Sequence, residues 1–212
     1  MSAFTERVRQ DIRKIQELSE ATEGRVTIVN QAENPPSKIT IEIDFPTAPS
    51  SRYPDQVQKQ TVVDIELLSR YPFQEPNAVI KTPIFHPNVY DSGKICFGTK
   101  WLPTQGLDLL VKRIIQIITF DPMILNGASP ANKAALDWYA KAVRKQPNAF
   151  PTDKLEVRVK KKKKISWSEV ADSPLEKTVV ACTHCGAKLR VSKNKKGNIA
   201  CPKCQQRFFI ET

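Results

Sequence analysis

A chain of 212 residues with 40% hydrophobic and 26% charged residues has the make-up of a globular protein, long enough for one domain of about 150 residues and a small appendage. No apolar run reaches the roughly 18–20 residues that span a bilayer, and the charged N-terminus MSAFTERVRQDIRK lacks the apolar core of a secretory signal, so no membrane role and a cytoplasmic location are expected. The net charge of +11 is uneven: residues 1–150 hold 18 Lys and Arg against 16 Asp and Glu, residues 151–212 hold 15 against 6, and such a basic tail calls for an acidic partner or a solvated linker.

In chain order, Val8, Ile12, Ile15 and Leu18 recur at helical spacing and predict an amphipathic helix from Thr5 to about Ala21. Strand-like runs follow at Gly24–Asn30 and at Lys38–Phe45, where Ile39, Ile41 and Ile43 alternate with polar residues; QAENPPS between them reads as a turn. Gln60–Leu68 and Asn77–Lys81 predict two more strands, so the order is a helix and then an antiparallel meander.

Between Tyr71 and Pro103 the chain is rich in Pro and Gly and has little periodicity. A long irregular segment inside a regular domain points to function. Helical signal returns at Leu107–Phe120, apolar around much of its circumference and stopped by Asp121-Pro122; a last helix is predicted at about Ala131–Lys145.

Beyond Gln146 the character changes. Residues 1–148 are expected to form the main domain, 149–176 a basic flexible linker carrying the Lys160–Lys164 run, and 177–212 a small module. No internal repeat is evident.

The five cysteines sort by position. Cys182, Cys185, Cys201 and Cys204 form two CxxC pairs separated by 15 residues, whereas Cys96 stands alone. Two such knuckles place four thiolates tetrahedrally around one structural zinc ion; two redox-active CxxC motifs are the alternative. Gly186 allows the tight knuckle turn. Lys188–Ser192 reads as a strand, Lys193–Gly197 as a basic turn, Ile199–Ala200 as the start of the return and Phe208–Ile210 as a last strand. The module resembles a zinc ribbon, and one this short needs the metal to fold.

Around Cys96, each residue alone says little: a solitary cysteine is often buried and inert, and a nearby histidine is often a core residue. The combination is specific. The segment YPFQEPNAVIKTPIFHPNVYDSGKICFGTKWLP joins Tyr71-Pro72-Phe73, His86-Pro87-Asn88, the Gly93-x-Ile95-Cys96 turn and Trp101-x-Pro103. It resembles the active-site segment of ubiquitin-conjugating enzymes, and the order of elements over roughly residues 1–145 matches as well.

That resemblance implies an α+β, ubiquitin-conjugating-type fold: an N-terminal helix, a four-stranded antiparallel meander, an active-site loop and two following helices, with the small β zinc ribbon appended. It implies an acyl transferase that takes a ubiquitin-like modifier from an activating enzyme as a thioester on Cys96 and passes it to a lysine or a thiol. Thiol-to-thiol exchange is nearly balanced in energy, so no strong base is required. Asn88 would either place its amide near the acyl oxygen or brace the loop, and His86 would anchor the turn.

Ser129-Pro130 is the nearest match to the residue that flanks the incoming lysine. By the same resemblance the first helix meets the activating enzyme and the two Pro-containing loops meet a ligase, making Arg7, Lys14, Phe73 and Pro103 the candidates; core packing is the other reading for Phe73. Two departures stand out. The loop from Asp121 is longer than the family pattern, and Cys96 and Trp101 are closer together, so substrate choice is expected to differ.

Three other functions fit parts of the sequence. A Cys–His hydrolase would use Cys96 and His86, although Pro87 and the lack of another base near them argue against it. A non-catalytic adaptor would bind a modifier with one unit and a target with the other. A nucleic-acid-binding protein would be built on the basic tail, with Arg190, Lys193, Lys195 and Lys196 on phosphates. Recruitment of a target or partner protein by the ribbon is preferred, with nucleic acid second.

Overall fold

The computed structural model describes residues 2–31, 35–156 and 177–212. The chain divides into two compact units, one up to residue 160 and one from 161 onward. No helix among the described residues is long and apolar enough to cross a membrane.

Helix α1 spans Ala3–Ala21, and its N-cap Ser2 side chain accepts the Thr5 N–H. Val8, Ile15 and Leu18 lie at seven- and three-residue spacings on one face and are fully or almost fully buried. Asp11, a carboxylate, shares that buried stripe. The helix is followed by β1 (Val26–Gln31), β2 (Lys38–Ile43), β3 (Thr61–Glu66) and β4 (Asn77–Ile80), one antiparallel sheet in the order β1-β2-β3-β4. Register places Ile39 opposite Ile65 and Ile41 opposite Val63, and all four side chains are buried on one face. The first strand starts two residues later than the pattern predicts, because Glu23 takes a left-handed φ of 58° just past the C-cap, and the N–H groups of Glu23 and Gly24 donate back to the carbonyls of Glu20 and Ser19 at 3.2 and 2.8 Å to close the helix.

Helix α2, Leu107–Ile118, buries seven of its twelve residues and is the central helix. It has no side-chain cap of its own, since Gly106 stands at the N-cap. The buried Asp11 carboxylate of α1 accepts the Leu107 N–H instead, at 3.2 Å. A helix N-terminus leaves N–H groups unpaired and carries partial positive charge, so a carboxylate delivered from another helix satisfies both demands.

Asp11 also accepts from the Tyr71 hydroxyl and from Arg7 Nε at 2.6 Å. The rest of the Arg7 guanidinium donates to the carbonyls of Pro103, at 2.9 Å, and Gln105. Trp101 Nε1 donates to the Pro72 carbonyl at 2.6 Å. This node fastens α1, the 71–73 loop and the 101–105 loop to one another.

Helix α3, Lys133–Lys145, is capped by Asn132, whose side chain accepts the Ala135 N–H at 2.9 Å. A short 3-10 turn at Pro147–Ala149 follows. The chain from 149 does not leave the domain as expected of a linker. Phe150 enters an aromatic cluster with Phe120, Trp138, Tyr139 and Tyr53. Thr152 bonds Thr119 and Pro46, Asp153 pairs with Arg25, and Leu155 packs on the core. Buried aromatic area and side-chain hydrogen bonds thus extend the domain to about residue 155; the rest of the expected linker, from 157 to 176, lies outside the described residues.

The second unit has two hairpins, β5 (Lys177–Ala181) with β6 (Lys188–Ser192) and β7 (Lys196–Ala200) with β8 (Arg207–Glu211). Each hairpin turn carries one CxxC. The turns repeat each other at an offset of nineteen residues, a repeat that reading the sequence missed. Gly186 and Gln205 are both left-handed, and their N–H groups donate to the carbonyls of Cys182 and Cys201 at 2.9 and 2.8 Å.

Candidate active site and metal centre

Cys96 lies between Ile95 and Phe97, which are 5% and 7% exposed. Alternation along an extended segment turns those two inward and leaves Cys96, of intermediate exposure, toward solvent. It lines an open groove with Glu75, Tyr90, Lys94, Thr99 and Lys100. Glu75 is the one carboxylate of the groove; burial pushes its carboxyl up, and Lys94 partly offsets this.

Several contacts hold the segment. The Cys96 N–H donates to the Asn88 carbonyl at 2.8 Å, and the Ile95 N–H to Ala78 at 3.0 Å. Arg113 of α2 donates through two nitrogens to the Phe97 carbonyl, at 3.1 and 2.9 Å. Gly93 closes the turn before the cysteine with φ 81°, and a Cβ there would meet the Ile80 carbonyl oxygen at 2.2 Å. Only glycine meets both demands.

Asn88 is fully buried. Its amide nitrogen donates to the carbonyls of Ile124, at 3.1 Å, and Cys96, at 3.4 Å, while its oxygen accepts the Asn126 N–H at 3.1 Å. All three partners are backbone groups, so the side chain ties the cysteine segment to the 121–129 loop. Asn126 continues the connection, accepting the Ser129 N–H at 3.0 Å. Ser129 is exposed on a loop fastened to Asn88 through Asn126. Reading the sequence missed Asn126 and Arg113; neither stands in a motif, and only the turn-like composition around Asn126 hinted at a loop.

His86 is 1% exposed. Its Nδ1 accepts the Asn88 N–H at 2.9 Å, which places the proton of the neutral ring on Nε2, and Nε2 has no hydrogen-bond partner. The ring packs on Phe120 with centroids 4.3 Å apart. Burial pushes the imidazole down to about 3, because the low-dielectric interior disfavours its charged form. The ring is thus held in the turn by the Asn88 N–H and by Phe120.

A pH dependence follows. Between about 3 and the ordinary value near 6.5, the unfolded chain binds a proton at this site that the folded chain does not. Stability from His86 is therefore complete above pH 6.5 and lost as pH falls toward 3, with a slope of up to about 1.4 kcal/mol per pH unit. The expected result for His86→Asn, which keeps an acceptor near Nδ1 but does not titrate, is a flatter urea-denaturation profile over pH 6.5–4. Equal slopes in the two proteins would remove this assignment.

Of the residues read as partner contacts, Phe73 is 76% exposed, so core packing does not explain it. Leu102 beside Pro103 is 50% exposed, and Lys14 is exposed. Arg7 differs: its guanidinium is bonded to Asp11, Pro103 and Gln105 within the fold, with the side chain 20% exposed. These bonds set a cation beside the buried Asp11 carboxylate, which needs one.

In the second unit the four sulfurs of Cys182, Cys185, Cys201 and Cys204 lie within 4.8 Å of one another. The Cys182–Cys204 and Cys185–Cys201 sulfurs are each 3.7 Å apart. Four thiolates about 2.3 Å from one tetrahedral ion have sulfur–sulfur edges of about 3.8 Å, so the donor set fits a metal. All four are free cysteines in this structure.

Residues 7–152 match the family model described as ubiquitin-conjugating enzyme. Among curated proteins, the ubiquitin-conjugating enzyme E2 of African swine fever virus (strain Badajoz 1971 Vero-adapted) is 29% identical over 118 residues, 50% of this chain and 51% of that one. The probable ubiquitin-conjugating enzyme E2 31 of Arabidopsis thaliana is 38% identical over 59 residues, 26% of this chain and 38% of that one. The human ubiquitin-conjugating enzyme E2 T is 28% identical over 75 residues, covering 35% and 38%. The chain thus spans about half or less of the length of these relatives. Among solved structures, S. cerevisiae Ubc12 superposes with a TM-score of 0.50 at 20% identity, covering 66% of this chain and 72% of that one, a likeness of fold.

Proposed function

Because this chain belongs to the ubiquitin-conjugating enzyme family, we propose that Cys96 carries a ubiquitin-like protein as a thioester and hands it to an amine or a second thiol. The single observation that carries this reading is the placement of the Cys96 sulfur on an open groove, between two core residues that fix its backbone. The Cys96 thiolate attacks the thioester carbonyl on an activating enzyme; a new carbon–sulfur bond forms and the enzyme's thiolate leaves. A lysine amine then attacks the Cys96 thioester, the amide forms, the Cys96 thiolate departs, and the surplus amine proton goes to solvent.

His86 takes no part in proton transfer, which sets the hydrolase alternative aside. Phe73 and Leu102, exposed on loops joined by the Trp101–Pro72 hydrogen bond, offer apolar contacts to a ligase or other partner. Lys14 on α1 remains a candidate contact for the activating enzyme, and the four thiolates are proposed to hold one structural zinc ion. Incubation with modifier, activating enzyme and ATP tests the reading: a reductant-sensitive adduct is required, and its absence with a competent activating enzyme ends the proposal.

Asn88 is a positioning residue in this account. Asn88→Ala leaves two carbonyls and one N–H without their partner, at about 1–3 kcal/mol for each buried group. Urea denaturation is expected to show a loss of roughly 3 kcal/mol, accompanied by slower transfer. A variant of unchanged stability whose transfer falls about 100-fold or more would instead assign the amide to the acyl oxygen.

A further inference from the structure

The outer face of the β7–β8 hairpin has no part in either the Cys96 groove or the four-sulfur centre. Register pairs Asn198 with Phe209, Ala200 with Arg207 and Lys196 with Glu211. Paired residues share a face, and these six are exposed, whereas Ile199, Phe208 and Ile210 pack with the cysteines. Phe209 therefore stands near the middle of the outer face, 55% exposed, with a guanidinium two residues before it and an amide directly across. Nothing in the hairpin's own packing requires an aromatic ring there.

The charge of the second unit is one-sided. Residues 177–212 contain eight Lys and Arg and a single acidic side chain, Glu211, which bonds Lys196 at 2.8 Å. The Lys160–Lys164 run precedes the unit in the chain. An acidic protein would match this charge but would have no need of a flat ring paired with an amide. A single-stranded polynucleotide uses all three chemistries: a base face stacks on an aromatic ring, a base edge takes the donor and acceptor of an amide, and phosphates take cations.

We infer that the outer face of β7–β8 binds single-stranded nucleic acid, with Phe209 stacking on a base, Asn198 at a base edge, Arg207 on a phosphate, and the lysines of the unit supplying the surrounding positive charge. A duplex hides its base faces and cannot use the ring. This inference is independent of Cys96 and gives the second unit a role of its own, bringing the first unit to proteins gathered on a nucleic acid.

The test is fluorescence anisotropy of the full, metal-loaded chain with labelled 12-nucleotide oligothymidylate and oligouridylate over a series of salt concentrations. Affinity is expected to fall linearly with salt on logarithmic axes. Phe209→Ala should weaken binding roughly 5- to 150-fold, the range of one lost base–aromatic stack, at an unchanged salt slope. Arg207→Gln should flatten the slope by about one. Phe209→Trp should bind, with its indole fluorescence quenched by the oligonucleotide. Tighter binding of one arm identifies DNA or RNA as the source. The inference is overturned by absence of binding at low salt, by an unchanged Phe209→Ala affinity in a variant that retains its metal, or by polyglutamate of equal charge competing as well as the oligonucleotides, which would assign the face to acidic protein.

Discussion

Cys96→Ser is expected to replace the reductant-sensitive adduct by one that resists reductant, and Cys96→Ala to form no adduct at all. The reason lies in the leaving group. A thiolate is a good nucleophile near neutral pH and also a good leaving group, so a thioester is made and surrendered readily. An alkoxide is a far poorer leaving group, so a serine acylated by an activating-enzyme thioester would hold its cargo as an ester, formed slowly and released more slowly. Alanine offers no nucleophile.

The substitutions should leave the fold intact. Cys96 projects from between Ile95 and Phe97 toward the groove, and the backbone bonds to Asn88 and Ala78 do not involve its side chain. Thermal denaturation of both variants should therefore match the parent within about 1 kcal/mol. Measured on a reducing and a non-reducing gel, an adduct of Cys96→Ala would move the acceptor to another residue. Reductant-sensitive material from Cys96→Ser would do the same, since no other cysteine belongs to this groove.

Removal of the metal is expected to unfold residues 177–212 and leave the first unit folded. The second unit's interior consists of Phe208 and Ile210 with the half-buried Val180, Leu189, Val191 and Ile199 around the sulfurs, far too few side chains to offset the chain entropy of some 36 residues at about 1–2 kcal/mol each. A structural zinc ion supplies about 10 kcal/mol or more. Without it, four thiols held 3.7 Å apart in pairs have little reason to stay together. Chelation, or Cys201→Ser, should collapse the amide resonances of this unit to random-coil positions, while those of α1, the sheet and α2 stay in place. Retained dispersion in a preparation shown by metal analysis to be stripped would mean that the hairpins fold on their own apolar contacts.

Much of the site was legible because its chemistry is written locally. His86, Asn88, Gly93 and Cys96 lie within eleven residues, and each CxxC within four; a turn or a knuckle needs few long-range contacts to place such groups. The meander was equally readable, since alternation at Ile39, Ile41 and Ile43 reports burial strand by strand. Boundaries were less so. Residues 149–155 have linker-like composition, yet Phe150, Thr152 and Asp153 dock on partners as far as 128 residues away, and composition carries no record of such partners.

By itself the sequence determined the classes of chemistry in this protein: one thiol in an irregular, proline-punctuated loop, and four thiols spaced for a metal. Only tertiary structure decided how the other polar groups are used. Arg7 reads as a partner contact on an amphipathic helix, but Asp11 one turn away is buried, and a buried carboxylate draws in that cation and the Leu107 N–H of a helix 96 residues on. Asn88 meets three backbone partners, two of them 36 and 38 residues away, and register turns Phe209 outward. Periodicity reports which side of an element is apolar. It does not report which distant group arrives to meet a polar atom, and hydrogen-bond satisfaction in the interior is settled by that arrival.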